Sequence, residues 1–127
     1  MLERHMIQAR GFKKTPEGFS LILRSPYYRG FWASSIESLT VEVDGVVHSH
    51  DSITWTLDGA SYSAGELAQS DARWALDRPA RLAVRSSMPL PIGLHDLRTT
   101  LTMRMSYIPL ELQPTDWIAS RSLAVTA

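Results

Sequence analysis

Leu97-Arg98-Thr99-Thr100-Leu101-Thr102-Met103-Arg104-Met105-Ser106-Tyr107 decides the fold. Leu97, Thr99, Leu101, Met103, Met105 and Tyr107 fall on one side of a two-residue period. Arg98, Thr100, Thr102, Arg104 and Ser106 fall on the other. Successive strand side chains point to opposite faces, so this is a strand with one buried and one wetter face. The same period runs through Phe19, Leu21 and Leu23, through Leu39, Val41 and Val43, through Ile53, Trp55 and Leu57, and through Leu82 and Val84. Turn chemistry separates these runs. Asp44-Gly45 predicts a tight hairpin into Val46-Val47, and Asp58-Gly59 closes the Ile53–Leu57 strand. Pro16-Glu17-Gly18 opens the Phe19 strand, and Ser86-Ser87-Met88-Pro89-Leu90-Pro91-Ile92-Gly93 is a long break. Ser63-Ala64-Gly65-Glu66 fits a capping box and predicts one short helix with Leu67 on its apolar side. The expectation is an all-β protein, an antiparallel β-sandwich of jelly-roll-like design, with seven to nine strands and one short helix.

Composition narrows the classes. With 127 residues the chain reads as one domain, 1–127, in which about 110–127 form a docking C-terminal tail carrying Trp117, Ile118, Leu123 and Val125. No cysteine is present, which excludes disulfides, thiolate zinc sites and cysteine nucleophiles. Thirteen basic residues balance thirteen acidic ones with no basic run, against a nucleic-acid footprint. Apolar runs never exceed three residues, so no membrane span is expected, and the N-terminus lacks a signal peptide's apolar core. The expectation is a cytoplasmic protein. Eleven of the basic residues are Arg, the side chain suited to carboxylates, aromatic faces and buried interfaces.

Four groups of residues could carry function. His48-Ser49-His50-Asp51 has two histidines at i and i+2, the spacing of a cupin-like metal site, or else it is a solvated turn at a hairpin end. The acids Glu37, Glu42, Asp44, Asp51 and Asp58 read as solvated strand faces and turn formers. Arg24-Ser25-Pro26-Tyr27-Tyr28-Arg29-Gly30-Phe31-Trp32 packs four aromatics and two arginines into nine residues. Rings and guanidiniums at that density either fill a core or anchor an interface. His95, in Gly93-Leu94-His95-Asp96, reads as a hydrogen-bonded structural histidine standing just before a strand.

At these segments the chain resembles the small (β) subunit of C-glycoside deglycosidases. The resemblance runs from Arg24-Ser25-Pro26-Tyr27-Tyr28-Arg29-Gly30 through Ser35-Ile36-Glu37 and Val41-Glu42-Val43-Asp44-Gly45. It continues with Tyr62, Glu66-Leu67 and Arg73-Trp74, and closes with Gly93-Leu94-His95 and Arg104-Met105-Ser106-Tyr107-Ile108-Pro109. It implies a non-catalytic subunit of a carbon–carbon lyase acting on 3-oxo-C-glycosides. The partner it implies is a large (α) subunit similar to TIM-barrel sugar-phosphate isomerases, in a hetero-oligomer. It further implies that a divalent metal, manganese, and the acid–base residues belong to that partner, with no cofactor in this chain. Tyr27, Tyr28, Arg29, Trp32, His95 and Tyr107 are the expected contacts to partner or substrate pocket, with His95 and Tyr107 supporting the same end as the aromatic segment. The alternatives are a stand-alone cupin-like metal-dependent enzyme using His48, His50 and His95, or a carbohydrate-binding module with exposed rings.

Overall fold

The computed structural model describes residues 6–26, 31–75, 77–104 and 114–126, with the backbone alone at Phe31. Eleven strands lie among the described residues: β1 (Lys13–Thr15), β2 (Gly18–Leu23), β3 (Phe31–Trp32), β4 (Ile36–Val43), β5 (Val46–His48), β6 (Ile53–Leu57), β7 (Ala60–Tyr62), β8 (Arg73–Trp74), β9 (Ala80–Arg85), β10 (Gly93–Met103) and β11 (Thr115–Val125). One sheet has the order β1-β2-β9-β6-β7, a second β11-β10-β4-β5, and β3 pairs with β8 in a short ribbon. Every pairing is antiparallel. The expected all-β sandwich is therefore present, with nine strands in its two main sheets.

The alternation read from sequence is the reason the sheets stack. Phe19, Leu21 and Leu23 on β2, Leu82 and Val84 on β9, and Ile53, Trp55 and Leu57 on β6 turn inward from the first sheet. Leu39, Val41 and Val43 on β4 and Leu97, Leu101 and Met103 on β10 meet them from the second. Each large side chain removed from water contributes roughly 1.5–3 kcal/mol. Phe19 of the first sheet touches the His48 ring of the second edge-on at 5.1 Å, which fixes the spacing of the layers at that point.

Local chemistry sets the turns. Asp44 and Asp58 have φ of 50°, and Gly45 and Gly59 follow at 86° and 83°. Positive φ at both central residues marks the type I′ hairpin, for which Asp-Gly is a favoured pair. The single helix, α1 (Ala64–Ala68), has its full capping box: Glu66 N–H donates to Ser63 Oγ at 3.2 Å, and Ser63 N–H donates to Glu66 Oε1 at 2.9 Å. It buries Leu67 and covers one end of the sandwich near β4 and β6.

Two expectations need correction. The 110–127 stretch, read as a docking tail, contains an eleven-residue strand, β11, paired in unbroken register with β10 from Thr115 to Val125. His95 does not precede the strand; it lies inside β10, on the same inward face as Leu97. No helix among the described residues is long and apolar enough to cross a membrane.

Candidate functional site: a histidine-pinned loop and an aromatic ribbon

Three of the expected contact residues, Tyr27, Tyr28 and Arg29, lie outside the described residues, as does Tyr107. Trp32 and His95 are described; Trp32, on the β3–β8 ribbon, leads into one end of the second sheet, and His95 lies at the other. Met103 pairs with Ile36, four residues after Trp32, whereas Leu97, two residues after His95, pairs with Val43 at the far end of β4. Along β10 the eight steps from His95 to Met103 span about 27 Å at roughly 3.4 Å per residue. The expectation that His95 supports the same end as the aromatic segment is therefore corrected by strand register.

At the Trp32 end, the β3–β8 ribbon places Trp32 opposite Arg73. The Arg73 guanidinium lies 4.9 Å from the centre of the Trp32 ring, a cation–π contact. Trp32 remains 50% exposed, so the stacked pair is presented outward. Its neighbour Trp74 is buried and meets Trp55 edge-on at 5.3 Å, anchoring the ribbon in the core. Arg104 forms an ion pair with Glu37 at the same end, and its N–H donates to the Ser35 carbonyl at 2.9 Å. Of the aromatic side chains in the 24–32 segment, Trp32 is the one described, and it takes the exposed role. Trp32 is surface, and Trp74, contributed by the strand opposite it, is core.

At the other end, His95 is buried at 5% exposure and both of its ring nitrogens face acceptors. Nδ1–H donates to Asp44 Oδ2 at 2.6 Å, and Nε2–H donates to the Pro91 carbonyl at 2.7 Å. A carbonyl can only accept, and an ionised carboxylate can only accept, so the arrangement calls for the doubly protonated imidazolium. The Asp44 hydrogen bond raises the His95 pKa above its ordinary value, the Pro91 bond adds to it, and burial opposes both. The same pairing with His95 lowers the Asp44 pKa, helped by the Asp96 N–H, which donates to Asp44 Oδ1 at 2.8 Å. Asp44 N–H in turn donates to the Asp96 carbonyl at 2.9 Å, so the turn residue prolongs the β4–β10 ladder by one step. Beside it, the outer face of the sheet forms a shallow concavity of about 540 Å³ bordered by Glu42, Asp44, Asp96, Arg98, Ser120 and Ser122.

His48 is not a solvated turn residue. It is 8% exposed and points inward from β5. Its Nδ1 lies 3.1 Å from the Val41 carbonyl and its Nε2 2.8 Å from Ser86 Oγ. The tautomer that satisfies both donates from Nδ1 to Val41 and accepts the Ser86 hydroxyl at Nε2, leaving Ser86 Oγ to accept Met88 N–H at 3.1 Å. His50 stands apart. Its Nδ1 accepts the Leu39 N–H at 3.2 Å, and burial lowers its pKa against a smaller opposing effect of Asp51. Among the described residues no group of three or more His, Cys, Asp or Glu is placed to hold a metal ion. The cupin-like reading thus loses the convergence it requires, because each described histidine spends ring nitrogen on backbone groups of its own fold. Sequence reasoning missed Asp44 as the partner of His95 and Ser86 as the partner of His48. Both links join residues distant in sequence, and only the Asp-Gly turn was a local signal.

What fold and site define together is an antiparallel β-sandwich that spends its described histidines on internal bonds and carries a stacked Trp–Arg pair on its surface. The chain belongs to the C-glycoside deglycosidase beta subunit family, whose profile matches residues 2–107. It is 34% identical over 119 residues to a C-glycoside deglycosidase beta subunit of Eubacterium cellulosolvens, covering 88% of this chain and 81% of that one. A C-glycoside deglycosidase beta subunit of Arthrobacter globiformis is 26% identical over 118 residues, covering 91% and 88%. A 3'-dehydrocarminate deglycosidase beta subunit of Microbacterium sp. is 29% identical over 100 residues, covering 76% and 74%. Among solved structures, the CooA pilin subunit of enterotoxigenic Escherichia coli aligns over 91% of this chain and 88% of its own at a TM-score of 0.30 and 8% identity, a distant likeness.

Proposed function

We propose that this chain is the non-catalytic beta subunit of a C-glycoside deglycosidase, a carbon–carbon lyase acting on 3-oxo-C-glycosides. One observation carries the reading: the family match spans residues 2–107 and includes relatives named as beta subunits over most of their length. A beta subunit requires a partner, and the proposed partner is a TIM-barrel-like alpha subunit that holds the divalent metal, manganese, and the acid–base residues. The role of this chain is to pack against that subunit and support its pocket. The internal commitment of His48, His50 and His95 agrees with a supporting rather than a reacting role. Tyr27, Tyr28, Arg29, Trp32 and Tyr107 are the proposed contact residues. Within this set Trp32 is half exposed with Arg73 stacked on it, the arrangement of an interface anchor.

Co-expression with a TIM-barrel-like alpha subunit of a C-glycoside deglycosidase, followed by size-exclusion chromatography, tests the proposal. A co-eluting complex that cleaves a 3-oxo-C-glycoside, with neither chain active alone, is the expected result. Separate elution at micromolar concentration refutes it. Trp32→Ala and Tyr28→Ala each remove an aromatic anchor and should weaken assembly by on the order of 2 kcal/mol. Calorimetric affinities unchanged by either substitution would remove that residue from the interface.

A further inference from the structure

The segment between β9 and β10, residues 86–92, is unusually well fixed for a connection containing two prolines. His48 Nε2 holds Ser86 Oγ at 2.8 Å, and Ser86 Oγ holds the Met88 N–H. Leu90 is buried at 4% exposure. His95 Nε2–H holds the Pro91 carbonyl at 2.7 Å. Immediately beyond these four fixed points stand Ile92 and Leu94, exposed 70% and 75%, the most exposed large apolar side chains among the described residues. Apolar groups on a backbone already ordered lose little further conformational freedom on docking, the condition under which a small patch contributes most. The border of this pair is charged with both signs. Asp44, bonded to His95, and Asp96 lie next to it, and Glu42 follows on the same outer face with Arg98 opposite it, so a complementary face would be apolar with polar and charged groups around it.

We propose that residues 86–94 form a contact surface for the partner subunit, that the matching face is apolar at its centre with a polar rim, and that His95 is the positioning residue that sets this surface. The proposal rests on the subunit reading above. It moves His95 from contact to support, since the ring is buried and acts through Pro91. The groups around the ring are few. The β4–β5 turn brings Asp44, and its own strand brings Asp96. β11 brings the uncharged Leu123 opposite it, and the segment before β1 brings the Phe12 ring edge-on at 6.1 Å. Loss of one ring proton leaves a single N–H for two acceptors. The charged Asp44 retains it, and the Pro91 carbonyl is left facing a lone pair. The loop then loses its last fixed point, and affinity for the partner falls as pH rises through the His95 titration.

Calorimetric titration of the intact chain with the purified alpha subunit, from about pH 6 to 9, tests this. The double substitution Ile92→Ser/Leu94→Ser should weaken binding at least about tenfold. Ile118→Ser, on the outer face of β11, should leave it unchanged. Asp44→Asn keeps an oxygen for the Asp96 N–H but removes the charge, so the loss of affinity should move to lower pH. Full affinity of the double variant overturns the contact surface and leaves the subunit reading standing. A wild-type chain that does not bind the alpha subunit overturns both. Self-association broken by the double variant would put a second copy on this surface and overturn the choice of partner. An Asp44→Asn profile superimposed on the wild type removes His95 as a positioning residue. Independently of any variant, ring nitrogen chemical shifts of wild-type His95 at neutral pH should report both nitrogens protonated; a neutral ring refutes the clamp.

Discussion

Asp44 shows how much one side chain can be asked to do. Its backbone takes the positive φ of the hairpin and prolongs the strand ladder, one carboxylate oxygen accepts the Asp96 N–H, and the other holds the charge on His95. The pH dependence follows from the two shifts. His95 binds its proton more tightly folded than unfolded, so its contribution is complete below about pH 6.5 and is lost as pH rises through the raised pKa. Asp44 gives up its proton more readily when folded, so its contribution is complete above about pH 3.9 and is lost as pH falls through the lowered pKa. Thermal melts should therefore be highest between those limits, and His95→Gln should flatten the alkaline decline. An alkaline slope identical in variant and wild type would rule out this origin. Thr99 offers a second test. It is fully buried on β10, and its hydroxyl has no hydrogen-bond partner among the described residues. Thr99→Val keeps the shape and removes a desolvated polar group, and should stabilise by about 1 kcal/mol in urea denaturation. A destabilised variant would mean that the hydroxyl has a partner after all. At this scale the sequence was half legible. Asp44-Gly45 announces a turn because the signal is local, but His95 lies 51 positions away and nothing local connects the two.

Among the elements, those specified by neighbours in sequence were the readable ones. The two Asp-Gly hairpins and the capped helix depend on residues within four positions, and all three form. Ser63→Ala should remove one arm of the capping box and cost about 1 kcal/mol, measurable as a lower denaturation midpoint. Gly18 opens β2 under a tighter constraint. A Cβ there would lie 2.0 Å from the Val84 carbonyl oxygen of β9, which cannot move without breaking the β2–β9 ladder. Gly18→Ala should cost about 2 kcal/mol or more, and a melt within a degree of wild type would contradict the register. β11 escaped notice because its pattern is broken. Ala119, Leu123 and Val125 face inward, but between them stands Arg121, also on the inward side opposite Leu97, reaching the Ile7 carbonyl at 2.9 Å. A charged residue at an edge-strand inner position interrupts the alternation without interrupting the strand.

Over the whole molecule, the all-β class was visible because alternation is a property of each strand, whereas the layout of the contact residues was not. Trp32 and His95 were expected near one end, but Trp32 leads into the Ile36 end of β4 while His95 lies toward its Val43 end, and only the pairing of β4 with β10 reveals it. β10 is the hub of that sheet, flanked by β4 and β11 along its length. Removing residues 115–126 would strip one whole side of β10 and take Ala119, Leu123 and Val125 out of the core. The truncated chain should lose its cooperative thermal transition, followed by circular dichroism; a sharp melt near the full-length midpoint would show β11 to be dispensable. The position of β10 also governs how the chain reaches this state. β4 and β2 are each made early in the sequence, yet their long partners are β10 and β9, which come some fifty to sixty residues later. Closing loops of that size precedes any reward from pairing, so folding should fall toward the millisecond-to-second end of the range for small domains. Through that interval β4 has only the three-residue β5 beside it, and its apolar face waits uncovered. The time spent searching for β10 is when the protein is most vulnerable to aggregation, and the rate at which β10 docks sets how long that vulnerability lasts.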